Sequence, residues 1–202
     1  DQLPEGAEPP VGACDLFDLE KYPGRRALNK RPIVNLEWAL LCDGVPYEQV
    51  YEMLETEEGK ARAFAKLDTI KKDTLWWLSG AEAIQLLADG EVFMGSAYNG
   101  RLFSAIFEQS QPLAIAWDHQ VLELDGWVVP AGLPAEREKA VMDYLFFATD
   151  SQRLADQAKY IPYAPARISS VALVGKHADL DVEMAPHMPT NPANGANKYI
   201  NN

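Results

Sequence analysis

The sequence predicts an α/β protein with a largely parallel sheet, because short apolar runs alternate with helical patterns and turn signals separate them. Residues 75–78 form a continuous apolar run, which is typical of a buried strand. Ser79 and Glu82 then have the spacing of a capping box, which predicts that a helix begins there. A second strand is predicted over residues 91–98, with a second helix capped by Asn99.

The segment before these strands is mainly helical. The helix over residues 35–41 has a stop signal in the following Asp-Gly pair. A short strand is predicted over residues 25–28, and the Pro- and Gly-rich residues 1–12 predict an extended lead-in. The remaining helices are predicted over residues 15–22, 45–54 and 59–70.

The segment after residue 112 predicts two further strands and then a helical region. The strands cover residues 113–117 and 121–129. The first helix begins near Pro134, and one apolar stripe follows it through Val141, Tyr144, Leu145 and Ala148. Two more helices are predicted over residues 151–160 and 166–174, and the chain is loop-rich from Gly175 onward.

Composition limits the classes of function. With 202 residues, 48% of them apolar, the chain can bury a core in one domain or two small ones. Its net charge of −12 argues against a basic nucleic-acid surface and suits a cationic ligand, although solubility alone explains such acidity. No apolar run has the length of a bilayer span. The first residues are polar and turn-like, as expected of a secreted chain whose signal peptide has been removed.

The cysteine and histidine residues give little evidence for a metal site or a catalytic site. Cys14 and Cys42 can form one disulfide or remain as buried free thiols, and we expect the thiols. The loop around His177 carries three acids, but its spacing matches no metal motif and indicates a solvated acidic loop. No nucleophile elbow, P-loop or dinucleotide fingerprint is present, so we assign no catalytic residue, no metal ligand and no cofactor.

One predicted strand carries a candidate ligand site. Strand side chains alternate, so Glu123, Asp125 and Trp127 share one face. Two carboxylates beside an indole can hold an organic ammonium, because the acids pair with its charge and the ring covers its methylenes. A half-exposed strand with a polar outer face explains the same alternation, and the pattern alone favours that simpler interpretation.

Ser79, Tyr98 and Tyr163 are further candidates for contact with a ligand. Ligands of open α/β sheets bind beyond the carboxyl ends of the strands, where Ser79 and Tyr98 are predicted to lie. Tyrosines can form the aromatic walls that a ligand with an apolar middle requires. The alternatives are a simple helix cap for the serine and ordinary half-buried tyrosines.

Nine short segments together resemble the periplasmic spermidine/putrescine-binding protein family, and they extend in order along nearly the whole chain. They are residues 21–28 (KYPGRRAL), 35–41 (NLEWALL), 43–46 (DGVP), 76–77 (WW), 79–81 (SGA), 85–92 (QLLADGEV), 97–101 (AYNGR), 125–130 (DGWVVP) and 161–165 (IPYAP).

The resemblance implies a type II periplasmic binding fold. Two α/β lobes are joined by a hinge and close on a small cationic ligand in the cleft between them, for permease subunits of an ABC importer to recognise. Such a protein is periplasmic, meets the inner membrane only through the permease, and needs no cofactor. Asp125 matches the family carboxylate that pairs with an amine, Tyr98 an aromatic before Asn-Gly, Tyr163 a tyrosine before x-Pro, and Ser79 a serine at the cleft.

Two departures from the family pattern weaken the polyamine assignment. Polyamine binders carry Trp two residues before the aspartate, where this chain has Glu123. They also carry acids in the stretch that is here residues 30–34, a basic and apolar segment. A second amine then lacks a partner unless Glu123 or Glu37 provides one.

The family pattern also predicts the lobes. Residues 1–117 correspond to lobe two, residues 118–130 to the hinge crossover, and residues 131–202 to the helical part of lobe one. Roughly a hundred residues of lobe one, a domain-sized piece, have no counterpart here. An exposed apolar patch is therefore expected at Val141, Tyr144 and Leu145, as in a truncated or cleaved chain or one completed by another chain.

Three other functions remain open at this point. A protein of the same fold can bind ferric iron, thiamine or an organic acid, and an arginine at a helix N-terminus would favour the acid. An enzyme could use Asp125 and Glu123 as general acid and base. A fragment could also lack any ligand.

Overall fold

The structure is a computed structural model that describes residue 3, residues 6–194 and, for the backbone alone, residues 199–201. The predicted lead-in over residues 1–12 lies partly outside the described residues. The chain divides into two compact units. Unit 1 comprises residues 1–121 and 195–199, and unit 2 comprises residues 122–194 and 200–202.

Unit 1 contains the predicted parallel sheet. Its strands are β1 (Arg26–Asn29), β2 (Thr74–Trp77) and β3 (Met94–Gly95), in the order β2-β1-β3. Both pairings are parallel, with Asn29 opposite Trp77 and Ala27 opposite Gly95. Since all three strands run in one direction, their carboxyl ends meet at one edge, which we name the carboxyl edge.

Helices cover both faces of this sheet. Because successive strand residues point to opposite faces, Leu28 packs into a core with Leu40 and Ala63, while Ala27 packs with Trp77 and Ala83 on the other side. The helices of unit 1 are α1 (Asn35–Leu41), α2 (Val50–Glu55), α3 (Glu57–Asp68), α4 (Gly80–Ala88) and α5 (Asn99–Phe103), which continues as a π-helical turn over Ser104–Glu108.

The start of unit 1 differs from the prediction. A 3-10 helix over Ala13–Phe17 replaces the predicted helix over residues 15–22. The expectation of free thiols was wrong, since Cys14 and Cys42 form a disulfide across 28 residues. This bond ties the 3-10 helix to the end of α1, a spatial neighbourhood that the spacing of the cysteines does not reveal.

The buried side chain of Arg26 stabilises the same segment through hydrogen bonds to its backbone. Its guanidinium donates to the carbonyl oxygens of Leu16 at 3.0 Å, Gly24 at 2.6 Å and Asp18 at 3.2 Å. Burial lowers the pKa of Arg26, while the charges of Asp73 and Asp18 oppose that shift. Arg26 is therefore a structural group, satisfied within the interior by backbone acceptors.

Three predicted strands are shorter than expected or absent. The strand over residues 91–98 is reduced to Met94–Gly95, and residues 113–117 form no strand, although Asp118 bridges Gly12. The strand over residues 121–129 ends early, as β4 (Val121–Glu123), paired with β5 (Tyr199–Asn201). The apolar pattern suits a strand in each case, but a strand also needs a neighbour for its hydrogen bonds.

Unit 2 is helical, with α6 (Ala135–Ala148), α7 (Ser151–Gln157) and α8 (Ile168–Val171). Pro134 precedes α6 as its N-cap. Within Ala135–Ala148 no residue is buried, and Tyr144, Phe146 and Phe147 are exposed. Of the predicted stripe, Tyr144 is exposed, whereas Val141, Leu145 and Ala148 are half-buried, so the expected exposed patch is present only in part. Among the helices that the structure describes, none has the length and apolar character to cross a bilayer.

Candidate functional site

The carboxyl edge of unit 1 is fixed by hydrogen bonds that cross from strand to strand. The Lys30 N–H donates to the Trp77 carbonyl oxygen at 2.9 Å, and the Ser96 N–H donates to the Ala27 carbonyl oxygen at 2.8 Å. The Asn29 N–H donates to Ser96 Oγ at 3.2 Å. The loops that leave the three strands therefore begin from a rigid base.

Ser79 caps α4 at this edge, as the sequence predicts. Its Oγ accepts the Glu82 N–H at 3.3 Å. The Glu82 carboxylate accepts the N–H of Leu78 at 2.9 Å, one residue before the N-cap position of an ordinary capping box. The Ser79 side chain is exposed beside the first turn of the helix.

Gly80 brings Tyr98 and Arg101 against the start of α4. A Cβ on Gly80 would lie 2.7 Å from Arg101 Nε and 3.0 Å from Tyr98 Cδ2, closer than real Cβ contacts. Tyr98 is itself the N-cap residue of α5, so the prediction that Asn99 caps this helix was wrong by one position. The structure thus brings together two predicted site residues, Ser79 and Tyr98, and adds Arg101.

Two buried polar atoms at the carboxyl edge have no hydrogen-bond partner among the described residues. They are Trp77 Nε1 and Asn29 Oδ1, and both residues are at least nine-tenths buried. Trp77 also meets Tyr98 edge to face, with ring centroids 6.1 Å apart. Buried donors and acceptors are almost always satisfied in native proteins, so unpaired ones mark positions where a ligand or water can bind.

The charge at this edge is positive. Arg101 lies against the N-terminus of α4, where the helix dipole is already positive. None of the ion pairs in the described part of the chain involves Arg101, Lys30 or Arg31. Glu82 is the acid of the first turn of α4 and accepts the Leu78 N–H. Arg101 and the helix N-terminus together still suit this edge to a carboxylate or another small anion.

The acidic candidates lie in unit 2, and the interpretation of them as one strand face was wrong. The strand ends at Glu123, and in the described stretch 124–130 no residue belongs to a strand or helix. Side chains of both predicted faces are exposed. On the predicted apolar face, Leu124 is 68% exposed and Val128 is 89% exposed. Alternation therefore does not sort these side chains, because the segment has no pairing partner that would hold it extended.

Glu123, Asp125, Trp127 and Tyr163 are all exposed. Trp127 meets Tyr144 of α6 edge to face at 6.0 Å between ring centroids. The Tyr163 N–H donates to the Ile161 carbonyl oxygen at 2.8 Å, which forms a tight turn around Pro162. The assignment of these four residues as binding residues stays a prediction.

Glu37 does not replace the missing acidic partner. It is 4% exposed in α1, and its carboxylate accepts a hydrogen bond from the Tyr51 hydroxyl. Burial first, and then the charge and hydrogen bond of Glu37, raise the pKa of Tyr51 to about 12. The acid therefore belongs to the interior of unit 1.

The loop around His177 is organised by its own contacts. His177 Nδ1 accepts the N–H groups of Asp179 at 3.1 Å and Leu180 at 3.2 Å, and Lys176 pairs with Asp181 and Glu183. No group of side chains among the described residues is arranged to hold a metal ion.

Residues 1–190 match the sequence pattern of a family described as bacterial extracellular solute-binding protein. The chain belongs to this family. It is 39% identical over 189 residues to a gamma-aminobutyric acid-binding protein of Pseudomonas aeruginosa, and the match covers 93% of this chain and 51% of that protein.

Solved structures of solute-binding proteins show the same fold. The PBP MotA from A. tumefaciens B6, in complex with glucopine, superposes with a TM-score of 0.78 at 34% identity, over 96% of this chain and 58% of MotA. A GABA receptor superposes with a TM-score of 0.76 at 32% identity, over 97% of this chain and 57% of the receptor. The predicted α/β periplasmic-binding-protein fold is confirmed, and the chain spans about half the length of these solute-binding relatives.

Arg101, Trp77 and Asn29 are features of this solute-binding protein that sequence reasoning missed. Arg101 and Trp77 lie in two of the segments that carry the family resemblance, yet neither was weighed as a ligand contact. The available signal was Gly80 directly after a capping serine, since a glycine at the start of a helix can mark a close approach by another side chain.

Proposed function

We propose that this chain carries ligand-binding residues of a receptor that delivers a small solute to an ABC importer, and that the solute bears both a carboxylate and an ammonium. The observation that carries the proposal is the position of Arg101, an unpaired cation against the N-terminus of α4 within the described part of the chain. The carboxylate of the ligand is the anion that this arrangement favours.

The carboxylate end of the ligand is assigned to the carboxyl edge of unit 1. The first N–H groups of an α-helix have no intrahelical acceptor, and they point outward at the start of α4. The Ser79 hydroxyl can donate while its oxygen accepts from Glu82, and Arg101 adds a charged, planar donor. Tyr98, which is 38% exposed, provides aromatic surface for the apolar part of the ligand, and its ring is supported by buried Trp77.

In the same proposal, the ammonium of the solute pairs with the acidic residues that the family resemblance selects. Asp125 is the main partner in this proposal, with Glu123 as a second carboxylate and Trp127 and Tyr163 as aromatic surfaces for the cation and its methylenes. All four side chains are exposed in the structure, and Trp127 is held by its edge-to-face contact with Tyr144.

The relatives support a ligand with two unlike ends. Gamma-aminobutyric acid is the named ligand of one relative and of one solved structure, and it carries an ammonium and a carboxylate on a four-carbon chain. We therefore propose an ω-amino acid of about this length as the solute class. The periplasm as location, hinge closure on the ligand, recognition by permease subunits, and unit 1 as lobe two belong to the same proposal.

A polyamine is the second candidate. The resemblance to spermidine/putrescine-binding proteins favours it, as do the exposed acids Glu123 and Asp125. Two observations count against it: residues 30–34 contain no acid, and the possible substitute Glu37 is engaged with Tyr51.

Calorimetric titration with a matched pair of ligands separates the two candidates. GABA and putrescine each have four carbons and an ammonium at one end. The fourth carbon is a carboxylate in GABA and carries a second ammonium in putrescine. The protein at its full encoded length is titrated alongside residues 1–202. We expect GABA to bind at least about tenfold more tightly than putrescine, since a lost charged hydrogen bond costs ~1.5–3 kcal/mol. Tighter binding of putrescine would overturn the amino-acid assignment and favour the polyamine.

A further inference from the structure

Residues 118–121 are the last of unit 1 before the chain enters unit 2, and they are fastened to an early segment of the same unit. The Asp118 N–H donates to the Val11 carbonyl oxygen at 3.1 Å, and the Ala13 N–H donates to the Asp118 carbonyl oxygen at 3.1 Å. Gly12 and Asp118 thereby form a parallel bridge. A Cβ on Gly12 would lie 2.5 Å from the Asp118 carbonyl oxygen, so this pairing requires glycine.

One helix, α1, holds both segments of this bridge. Cys14 follows the first segment and is bonded to Cys42, the C-cap of α1. His119 follows the second segment, and its carbonyl oxygen accepts a hydrogen bond from Trp38 Nε1 at 2.7 Å. Trp38 and Cys42 are four residues apart, so they lie on the same face of the helix. The two segments are therefore fixed to one helix face, one by a covalent bond and the other by a hydrogen bond.

The backbone turns sharply at His119. Its φ is 64°, and the Gln120 N–H donates to the Trp117 carbonyl oxygen at 3.1 Å, which closes a turn with His119 in its third position. Glycine is preferred at a third position with positive φ, because a side chain is crowded there. A histidine persists in this conformation where the surrounding structure holds it. The hydrogen bond from Trp38 and the pairing of Asp118 are contacts of this kind.

This turn sets the direction in which the chain continues to the acidic residues of the proposed ligand site. The strand β4 begins at Val121, directly after the turn, and Asp125 lies six positions beyond His119. Six extended residues span at most about 20 Å. The direction that is set at the turn therefore limits where the Asp125 carboxylate can lie.

We propose that Trp38 is a positioning residue of the receptor. Its indole N–H holds the turn at His119, and through this turn it limits the positions that the Asp125 carboxylate takes when the ammonium of the solute binds. Trp38 acts without contact to the solute. The inference rests on the proposed function, because it takes Asp125 as the partner of the ammonium.

Hydrogen exchange in the absence of ligand tests whether Trp38 holds the turn. Trp38→Phe keeps an aromatic ring but removes the indole donor, so the Gln120 amide, which closes the turn, should exchange about tenfold faster. The Lys30 amide, bonded to Trp77 across the sheet, is the internal reference and should exchange at an unchanged rate. Trp76→Phe is the control, because Trp76 packs against the same core but, among the described residues, donates no hydrogen bond to the turn.

Gly12→Ala is a second variant that loosens the turn from its other side. The new Cβ collides with the Asp118 carbonyl oxygen, so the Gln120 amide should again exchange faster. Gly175→Ala, whose Cβ meets nothing within 4 Å, should leave it unchanged. Exchange at Gln120 that stays at the unsubstituted rate in Trp38→Phe would overturn the proposal.

Calorimetry with GABA, on the protein at its full encoded length, tests the positioning role. Trp38→Phe should weaken GABA about fivefold. In the Asp125→Asn background the same substitution should have little further effect, because Trp38 acts through Asp125. Full GABA affinity in Trp38→Phe, or an equal loss in both backgrounds, would overturn the positioning role. If the unsubstituted protein binds no GABA, the proposed function fails, whereas the exchange rate at Gln120 still decides whether Trp38 holds the turn.

Discussion

Arg101 lies across the first residue of α4, with its Nε 2.7 Å from the position that a Cβ would occupy on Gly80. This relationship places a cation at the positive end of a helix, in a unit whose sheet directs all three strands to the same edge. The absence of a side chain at Gly80 makes the approach possible. The proposed carboxylate subsite therefore depends on this glycine as well as on the arginine.

The first prediction concerns Gly80→Ala. The backbone of Gly80 is not in the positive-φ region, and alanine favours a helix, so folding should be unaffected or slightly stabilised. The new Cβ would displace the Arg101 and Tyr98 side chains, so GABA affinity should fall about tenfold, or ~1.4 kcal/mol. Gly175→Ala is the control, because nothing lies within 4 Å of its Cβ position. Calorimetry and thermal melts measure both effects. Unchanged affinity in Gly80→Ala would show that Arg101 does not need this approach.

The second prediction concerns the acidic end of the ligand. Asp125→Asn should weaken both GABA and putrescine roughly tenfold or more, because each ligand presents one ammonium to this carboxylate. Glu123→Gln should have the smaller effect. Asp143→Asn is the control, since Asp143 is an exposed acid of the same unit that pairs with Lys139 at 2.6 Å. If Asp125→Asn and Asp143→Asn behave alike in calorimetry, Asp125 is not a ligand residue.

The third prediction concerns the disulfide between Cys14 and Cys42. Closing a loop with 28 residues of separation restricts the unfolded chain, so Cys14→Ser/Cys42→Ser should lower the free energy of unfolding by about 2–4 kcal/mol. Denaturant unfolding under non-reducing conditions measures the difference. Mass spectrometry after treatment of the unreduced protein with an alkylating agent should find neither cysteine alkylated. Two alkylated cysteines in the folded, oxidised protein would contradict the bond.

The fourth prediction concerns Tyr51, whose pKa is about 12 in the folded protein because of burial and the neighbouring Glu37. Its folded pKa is raised above the usual value near 10, so its contribution to stability is complete below pH ~10 and is lost as pH rises towards 12. A spectrophotometric titration should show one of the eight tyrosines ionising late. Tyr51→Phe should remove that late step, whereas Tyr47→Phe should leave it. A late step that persists in Tyr51→Phe would assign it elsewhere.

Local signals predicted several elements correctly. The helix over Asn35–Leu41 has the predicted bounds, because an apolar helical pattern is followed at once by the Asp43-Gly44 stop. Ser79 caps α4 as predicted, since capping is decided by residues three positions apart. Parallel pairing of β1 and β2 followed from the alternation of strands and helices.

Elements that depend on distant partners were not predictable in the same way. Residues 113–117 have the composition of a strand but form no ladder with another strand. The strand β4 stops at Glu123 for the same reason. The expected strand face of Glu123, Asp125 and Trp127 therefore does not form. A pattern in one segment does not report whether a neighbour is present to receive its hydrogen bonds.

In the candidate site, too, the residues set by local signals were predicted and those set by contacts between distant segments were not. Ser79 and Tyr98 were predicted from their positions after strands, and the structure places the Tyr98 ring against Gly80, the residue after Ser79. Arg101 was missed because its importance lies in its distance to α4, which no spacing in the sequence encodes. The Cys14–Cys42 bond was misjudged for the same reason, since it joins two elements that are brought together only by the packing of unit 1.

The most direct test of the central proposal is calorimetry of Arg101→Gln with both GABA and putrescine, on the protein at its full encoded length. If Arg101 binds the ligand carboxylate, GABA should weaken at least about tenfold, while putrescine, which lacks a carboxylate, should bind unchanged or more tightly. Arg25→Gln, which removes an exposed arginine elsewhere in unit 1, should change neither affinity. An Arg101→Gln protein that folds normally and retains full GABA affinity would contradict the account.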